Sequence, residues 1–299
     1  MRFEFKFPIP PGYTEEPIWM GNCFGIGSKK LSVLRYTECD AGWDASLTDF
    51  HEKEAEAGNH YIDRASRFRA CNELKNKVHA DSAVILEIGS SSGYLLGEIK
   101  TFFPESFLIG SDCILEPLEK IAQKKLDIPL IQFDLFNCPL PDNCVDVIVA
   151  LNVLEHIKDD EAAIKQIYRI LKPGGYAIIE VPANQGLYDF YDEQLKHFRR
   201  YALRDLKKLA YKAGFTICSA SHLGFFVYPG FKYMKLRNKQ NKLGTDSQKQ
   251  IRMKNQIQFG GPVINNLFYL LMKIELALGK YIQYPIGIRC LLLLKKEFE

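Results

Sequence analysis

The stretch VILEIGSSSGYLL, Val84 to Leu96, decides the fold, because it combines a strand, a tight turn and the start of a helix. Its apolar first half is typical of a buried strand, and the residues from Tyr94 onward place apolar side chains on one helical face. Gly89 and Gly93 bracket three serines between them, so the backbone can approach a ligand closely and helical N–H groups can point toward it. The turn therefore predicts either a loop that binds a nucleotide-like ligand or a tight connection without one.

The same order of strand and helix continues along the chain. Further strands are predicted for FLIGSD, LIQFD, VDVIVALN, YAIIEV and FTICSASHLG, and further helices for EPLEKIAQKKL, KDDEAAIKQIYRIL and ALRDLKKLAYKAG. In LKPGG, Pro173 and the glycines after it are expected to end a helix. Short links between strands and helices predict an α/β fold with a parallel sheet and helices on both faces, in which ligands bind beyond the carboxyl ends of the strands.

Polar side chains end several of these predicted strands and should meet at that edge: Glu87, Asp112, Asp134 and Asn152. Asp112 follows Gly89 by 23 residues, where an acidic side chain can accept hydrogen bonds from the two hydroxyls of a ribose. Asp134 ends the third predicted strand and is followed by Leu135. At this position the carboxylate suits the amino group of an adenine, and Leu135 suits packing against the adenine ring. Each carboxylate could also be an ordinary strand-end or loop residue, and the combination is more specific than any one of them.

A dinucleotide fold is not favoured by this turn. The fingerprint G-x-G-x-x-G needs a second glycine for close approach to a pyrophosphate and a third for helix packing. Ser91 and Tyr94 occupy those positions here. The turn therefore favours an adenosyl ligand without a pyrophosphate over NAD.

The motifs EIGSSSG, SD at Asp112, FDLFNCPLPDNCVDVIVALNVLEHI and LKPGGYAIIEVP resemble the motif series of class I S-adenosylmethionine-dependent methyltransferases, over about Asp81 to Leu223. The nearest group includes ubiquinone-pathway and small-molecule methyltransferases. The resemblance implies a Rossmann-like, mostly parallel sheet of seven strands, whose last strand, IRCLLLLKK (Ile288 to Lys296), is antiparallel. It also implies that S-adenosyl-L-methionine is bound by Glu87, Gly89, Ser91 and Gly93 around the methionine part, Asp112 at the ribose, Asp134 and Leu135 at the adenine, and Asn152 on the methionine side. Ser91 departs from the many members that have glycine there.

Two histidines are candidate catalytic residues. Methyl transfer mainly requires alignment of the acceptor with the methyl group, and a general base is needed only if the acceptor must lose a proton. His156 lies in NVLEHI just past the fourth strand, where it could instead cap or pack the next helix, and His197 lies in the loop of residues 185–201. This loop also contains the candidate acceptor-binding residues Tyr188, Arg199, Arg200 and Tyr201. They could recognise an anionic or sugar-like acceptor through arginine forks, or brace the sheet through ion pairs.

The chain is expected to divide into four segments. Residues 1–80 form an N-terminal arm and helix, 81–229 the S-adenosylmethionine-binding core, 230–285 a basic and amphipathic helical insertion, and 286–299 the final strand. The arm shows no sustained periodicity before HYIDRASRFRACNELKNKV, which predicts a helix. We expect the arm and the insertion to form a cap over the acceptor.

The insertion is rich in basic residues and then turns apolar. Residues 231–254 contain eight Lys and Arg against one Asp, which alone would suit a solvated loop. The following segment has a helical stripe made of Ile264, Leu267, Phe268, Leu271, Ile274 and Leu278. Basic residues next to an amphipathic helix predict either contact with an anionic membrane surface or a lid over the substrate.

Composition restricts the function classes further. Of 299 residues 25% are charged, and the net charge of +3 is too small to predict nucleic-acid binding. The basic stretch also lacks evident stacking platforms for RNA. Eight scattered cysteines without C-x-x-C pairs predict free thiols in a reducing cytoplasm and no metal site. The sequence thus favours a cytoplasmic methyltransferase that acts on a small-molecule or lipid- or sugar-linked acceptor, in solution or at a membrane surface. The alternative is a non-catalytic S-adenosylmethionine-binding sensor or partner subunit.

Overall fold

The computed structural model describes residues 5–38, 59–77, 83–240, 249, 251–252, 254 and 261–298. The strands are, in chain order, β1 (Ile18–Trp19), β2 (Phe24–Ile26), β3 (Lys29–Leu31), β4 (Leu34–Arg35), β5 (Val84–Ile88), β6 (Phe107–Asp112), β7 (Leu130–Gln132), β8 (Val145–Leu151), β9 (Leu171–Pro182), β10 (Thr216–Leu223) and β11 (Arg289–Lys295). The α-helices are α1 (Tyr61–Lys77), α2 (Tyr94–Phe102), α3 (Leu115–Gln123), α4 (Asp160–Ile170), α5 (Phe190–Gln194), α6 (Leu203–Lys212), α7 (Tyr228–Gln240) and α8 (Gly261–Leu278).

A mixed sheet of eight strands forms the centre of the molecule, in the order β10-β11-β9-β8-β5-β6-β7-β4. The pairs from β9 through β8, β5, β6 and β7 to β4 are parallel. The last strand, β11, is antiparallel to both β9 and β10. The prediction of a Rossmann-like, mostly parallel sheet is therefore confirmed, and the predicted final strand at Ile288 to Lys296 agrees with β11. The eighth strand, β4, is supplied by the N-terminal arm.

The central strands are apolar because both of their faces are covered. All five residues of β5 are buried, and helices pack on the two sides of the sheet through apolar stripes. In α4 this stripe consists of Ala163, Ile164, Ile167 and Ile170. The Asp159 side chain caps the helix by accepting a hydrogen bond from the Ala162 N–H at 3.0 Å, as its position before the apolar stripe predicts.

The N-terminal arm is more ordered than its lack of periodicity suggests. Its described part contains the antiparallel meander β1-β2-β3, and Leu34 in β4 pairs with Ile131 of β7. Phe7 and Phe24 are buried and meet edge to face at 5.0 Å. The expectation of an irregular arm was wrong here, because strands of two or three residues are too short to show an alternating pattern. Residues 39–58 lie outside the described part of the chain.

LKPGG does not cap a helix as predicted. Helix α4 already ends at Ile170, and Leu171 pairs with Val145 as the first residue of β9. The register then shifts, so that Val147 pairs with Tyr176. The intervening residues form an irregularity in the strand, where Gly174 has a φ of +80°. The proline and glycines therefore lie in a bulge near the start of β9, and β9 follows α4 without a separate loop between them.

Helix α8 confirms the predicted helical spacing, and its apolar side chains divide between a buried side and an exposed side. Met272 and Glu275 are fully buried, whereas Leu267, Ile274 and Leu278 are exposed. The helix carries apolar side chains around most of its circumference, so periodicity alone could not choose between two candidate faces. Part of the predicted stripe consequently faces outward.

Helix α8 is held against the core by a buried carboxylate. The Glu275 side chain accepts hydrogen bonds from the backbone N–H of Gly224 at 2.7 Å and of Phe226 at 3.1 Å. It thereby satisfies the backbone between β10 and α7. Burial raises the pKa of Glu275, while these backbone N–H groups oppose the change.

We expect Glu275→Ala to lower the free energy of unfolding by about 1–3 kcal/mol for each backbone N–H left without an acceptor. Glu275→Gln, which keeps one carbonyl oxygen, should lose less. Urea unfolding followed by circular dichroism measures both changes. Ile274→Ala, on the exposed side of the same turn, is the matched control and should stay within about 0.5 kcal/mol of the wild type. Equal effects at the two positions would contradict the anchoring role of Glu275.

Gly93 immediately precedes the first residue of α2 and has a backbone conformation that favours glycine. Gly93 has a φ of +73°, and a Cβ added there would lie 2.9 Å from Cγ1 of Ile121. Gly93→Ala should therefore destabilise the protein by at least about 1–2 kcal/mol. Gly97, inside α2, has no atom within 4 Å of an added Cβ, so Gly97→Ala should stabilise the protein by about 0.5–1 kcal/mol. Thermal and urea unfolding of the two variants should show opposite signs, and a shared sign would refute this account of the turn.

Candidate functional site

A cavity of about 1360 Å³ opens at the carboxyl edge of the parallel strands. Its lining comes from the ends of β5, β6 and β8, from the loop before α6, and from helices α1, α7 and α8. Ligand pockets of roughly 300–1,000 Å³ enclose a drug-sized molecule. This cavity therefore has room for two such ligands side by side.

Most of the predicted cofactor residues meet in this cavity. Seven of them line it: Glu87, Gly89, Ser91, Asp112, Asp134, Leu135 and Asn152. Gly93 does not, because its Cα faces Ile121 of α3. Its glycine character is explained by packing between two helices.

The Gly-Ser turn is bent by backbone conformations that favour glycine. Gly89 has a φ of +78°, and a Cβ there would lie 2.6 Å from Cγ2 of Val153. Ser91 also lies in the left-handed region, with a φ of +43°, which costs a non-glycine residue roughly 1–2 kcal/mol. Glycine would adopt this conformation without that cost. The Ser91 N–H donates to Oδ2 of Asp112 at 3.0 Å, which ties the turn to the end of β6.

Two carboxylates lie at the base of the turn, Glu87 buried and Asp112 partly buried. Oε2 of Glu87 is buried and accepts no hydrogen bond from the described residues. Burial, together with the nearby charge of Asp112, raises the pKa of Glu87 well above its usual range. Burial also raises the pKa of Asp112, although the backbone N–H groups of Ile114 and Ser91 oppose this. A ligand that offers hydrogen-bond donors or positive charge would stabilise both carboxylates in their ionised form.

Strands β7 and β8 are each followed by a short turn that carries a polar residue, Asp134 after β7 and Asn152 after β8. Oδ1 of Asp134 accepts a hydrogen bond from the Phe136 N–H at 3.0 Å, which caps a single 3₁₀ turn. Leu135 is buried in that turn. Asn152 has a φ of +56°, and its N–H donates to the carbonyl oxygen of Glu180 at 2.8 Å. Both turns place their polar residues at the carboxyl edge of the sheet, where they line the cavity.

The two candidate histidines face each other across the cavity wall. The rings of His156 and His197 meet edge to face with centroids 4.6 Å apart. Nδ1 of His197 lies 3.0 Å from Oδ1 of Asp192. Burial, with a smaller effect of His197, lowers the pKa of His156 to about 3. Burial likewise lowers the pKa of His197, although Asp192 opposes the change. Both imidazoles are therefore neutral near pH 7.

The four candidate acceptor residues of the same loop do not come together. Only Arg200 lines the cavity. The Tyr188 hydroxyl donates to the carbonyl oxygen of His197 at 2.7 Å. Arg199 forms an ion pair with Asp160 at 2.7 Å, and the Tyr201 hydroxyl donates to the same carboxylate at 2.9 Å. Tyr188 thus stabilises the loop internally, while Arg199 and Tyr201 brace it against α4. Bracing is the alternative role that the sequence left open.

A buried network of charges holds this loop in place. Lys235 of α7 donates to Oδ1 of Asp189 at 2.6 Å and to Oδ2 of Asp192 at 3.0 Å. Arg200 donates to Oδ1 of Asp192 at 2.8 Å, and Asn238 donates to Oδ2 of Asp189 at 2.7 Å. Although burial alone would raise it, the pKa of Asp192 is lowered by His197, Lys235 and Arg200. The network joins the insertion to the loop that carries His197.

Sequence reasoning missed two buried residues at the site. Glu155 lies next to His156 in NVLEHI, and burial raises its pKa to about 8. Arg289, at the start of β11, donates to Oε1 of Glu180 at 2.7 Å and to Oδ1 of Asp63 at 2.5 Å. Glu155 could have been noticed as an ionisable residue within an apolar motif. Arg289 could not, because its partners are distant in sequence.

Comparisons with known proteins agree with this arrangement. Residues 59–220 match the family model described as a methyltransferase domain. An uncharacterized methyltransferase of Bacillus subtilis, YdaC, is 31% identical over 131 residues, which cover 43% of this chain and 71% of the relative. A probable S-adenosylmethionine-dependent methyltransferase of Mycolicibacterium smegmatis is 26% identical over 159 residues, which cover 52% of this chain and 59% of the relative.

The fold is also similar to that of a solved structure, a putative sarcosine dimethylglycine methyltransferase from Galdieria sulphuraria. The TM-score is 0.56 at 14% identity, with 84% of this chain and 98% of that chain covered. This similarity concerns the fold alone. Because the family model covers more than half of the sequence, the resemblance to class I S-adenosylmethionine-dependent methyltransferases is confirmed, and the chain belongs to the methyltransferase domain family.

Proposed function

We propose that the protein binds S-adenosyl-L-methionine and transfers its methyl group to a small-molecule or lipid-linked acceptor. One observation carries the proposal: seven predicted cofactor residues and two candidate histidines line the same cavity. The cavity is larger than one such ligand requires. One end can thus hold the cofactor while the other holds the acceptor.

The residues at the cofactor end fit this ligand. Glu87 presents a buried carboxylate oxygen with no partner in the described part of the chain, which suits the ammonium group of an amino acid. Asp112 suits the ribose hydroxyls, and Asp134 with Leu135 suits the adenine. Gly89 keeps the turn open, because any side chain there would meet Val153. When bound, the cofactor supplies a methyl group on a sulfonium, and the sulfur keeps the electron pair of the broken bond as a neutral thioether.

The packing of helices α1 and α8 beside the cavity supports the proposal that they cap the acceptor. Helices α1 and α8 pack together, with the rings of Tyr61 and Phe268 at 5.2 Å and the Arg64 guanidinium 3.8 Å from the centre of the Tyr269 ring. The Tyr61 N–H also donates to Oδ1 of Asn265 at 2.8 Å. Both helices contribute to the cavity lining. Their aromatic side chains would exclude water and orient the acceptor.

Cofactor binding tests the first part of the proposal. Asp112→Asn keeps the shape of the side chain but removes the charge that would accept bonds from the ribose, so the Kd for S-adenosylmethionine should rise about 10- to 100-fold, as expected for a hydrogen bond to a charged group. Calorimetric titration measures this change. The matched control is Asp127→Asn, which changes an exposed aspartate with a φ of +52° and should leave the Kd unchanged. A wild-type protein that binds NAD instead would contradict the assignment.

Methyl-labelled S-adenosylmethionine and cell extract test the transfer itself. Label in a product that depends on intact Asp112 supports the enzyme. Tight cofactor binding with no labelled product from any extract fraction would favour the alternative, a non-catalytic sensor or partner subunit. Binding and transfer are thereby separated.

We further propose that the outer face of α8 contacts an anionic membrane surface. Exposed apolar side chains recur along this face at helical spacing: Val263, Leu267, Leu270, Ile274 and Leu278. Lys273 and Lys280 are exposed beside it, and basic residues 231–254 precede it in the chain. An apolar stripe bordered by lysines is typical of helices that lie in a bilayer interface. Among the helices that the structure describes, none is long and apolar enough to cross a membrane.

Vesicle co-sedimentation of the full chain tests this contact. The protein should pellet with vesicles of phosphatidylcholine and phosphatidylserine, and much less with phosphatidylcholine alone or at high salt. Leu270→Glu should reduce pelleting, whereas Tyr211→Glu, an exposed aromatic position on α6, should not. Absence of lipid-dependent pelleting would remove the proposal. Concentration-dependent dimerisation that Leu270→Glu abolishes would instead assign the face to a second copy of the chain.

A further inference from the structure

Glu155 lies at the cavity wall and has no role in the proposed binding of the cofactor. This side chain is fully buried, and neither carboxylate oxygen accepts a hydrogen bond from the residues that the structure describes. A buried carboxylate without donors is costly unless it is paired or coordinates a metal. The chain therefore leaves a strong acceptor at the cavity wall for something that enters from the cavity.

The neighbouring cations are committed to other carboxylates. The Arg200 guanidinium donates to Asp192 and to the carbonyl oxygen of Ala183. Arg289 donates to Ser66, Glu180 and Asp63. These arginines lower the electrostatic cost of Glu155, but neither supplies the hydrogen bonds it lacks.

Two histidines, His156 and His197, lie close to Glu155. Glu155, His156 and His197 each offer one ligand atom, and these three atoms lie within 4.8 Å of one another. Ligands at bond lengths of about 2.0–2.2 Å on a tetrahedral ion are roughly 3.4 Å apart. Small rotations of the side chains would therefore bring the three atoms to coordinating distance.

Each imidazole also has a hydrogen-bond partner outside this group of three residues. Nδ1 of His197 lies 3.0 Å from Oδ1 of Asp192, and Asp192 is itself fixed by Lys235 and Arg200. The backbone of Leu195 forms a hydrogen bond with the His156 ring. Carboxylate or carbonyl groups behind histidine ligands are the usual support of a metal site, because they fix the tautomer and the ring orientation.

We propose that Glu155, His156 and His197 bind a divalent transition-metal ion at the acceptor end of the cavity. Two imidazoles and one carboxylate suit Zn²⁺ or a similar ion and leave at least one coordination position open to the cavity. Hard ions such as Mg²⁺ prefer oxygen ligands and should bind much more weakly. The sequence predicts no metal site because the fold alone brings these residues together.

The ion would select an acceptor with a hydroxyl group, and this role rests on the proposed methyl transfer. A hydroxyl oxygen bound at the open position loses its proton to water more readily, since the ion stabilises the oxygen that retains the electron pair. That oxygen is then the nucleophile for the methyl group. The substrate class is therefore a small or lipid-linked molecule with a metal-binding hydroxyl.

Co²⁺ is the probe for this site, because its visible spectrum reports the ligands. After chelation and dialysis, the full chain should bind one equivalent of Co²⁺ with visible bands of a nitrogen and oxygen site, even in excess Mg²⁺. Glu155→Gln and His197→Ala should each weaken binding by more than about 10- to 100-fold, the loss already seen for supporting residues. His222→Ala, at a histidine of β10 that hydrogen-bonds the Tyr284 carbonyl group, is the matched control and should bind as the wild type does.

The failure of this inference can be distinguished from failure of the proposed function. S-adenosylmethionine affinity and thermal unfolding are measured on the same variants, and both should stay near wild-type values in Glu155→Gln. A protein that binds S-adenosylmethionine but no Co²⁺ would overturn the metal site alone. A near-ultraviolet thiolate charge-transfer band, or Co²⁺ binding unaffected by Glu155→Gln, would place the ion at cysteines or elsewhere and overturn it as well.

Discussion

The candidate site depends on the parallel register of β5 with its two neighbours. Glu87 pairs with Gly110 of β6 and with Val149 of β8, so the three strands end together at one edge of the sheet. A slip of one residue would turn every side chain of a strand to the opposite face. Glu87 would then be replaced at the cavity by an apolar neighbour. Glu87 is the only polar residue of this strand, so the pairing that places it at the cavity also sets the positions of the polar residues that follow the strand.

Buried carboxylates of this protein fall into two groups, and the difference separates structure from function. Oε1 of Glu180 accepts a hydrogen bond from Arg289, although its Oε2 has no partner among the described residues, and Asp192 is bonded by Lys235 and Arg200. Such pairs hold α1, α7 and the loop before α6 onto the sheet. Glu87 and Glu155 lie at the cavity and have carboxylate oxygens without a partner among the described residues. Burial raises the pKa of both carboxyl groups and so favours their protonated form, and a ligand that brings positive charge or hydrogen-bond donors into the cavity would stabilise the ionised form.

The sequence was sufficient wherever a local pattern dictates structure. The strands from β5 onward follow from apolar runs, as do the helices α2, α3, α4, α6 and α8, and the cofactor candidates follow from their places at strand ends. Helices α5 and α7 lie in segments whose sequence suggested loops. Contacts between distant segments could not be predicted in this way. Glu155 meets His197 because the Phe198 N–H donates to the Glu155 carbonyl oxygen at 2.8 Å, a bond that no spacing rule contains. The outward stripe of α8 was likewise ambiguous, since a helix that is apolar on two sides has no unique buried face.

Helix α8 lies between the cavity and the proposed membrane surface. Its inner side contributes Phe268 and Leu271 to the cavity, while Leu267 and Leu270 point outward. A bilayer that covers the outer side would therefore lie one helix diameter, about 10–12 Å, from the acceptor end of the cavity. A lipid-linked acceptor could bridge this distance with its chain in the membrane and its polar head beside Glu155. A small water-borne acceptor would gain nothing from an apolar outer face, so the two-sided helix favours the lipid-linked class.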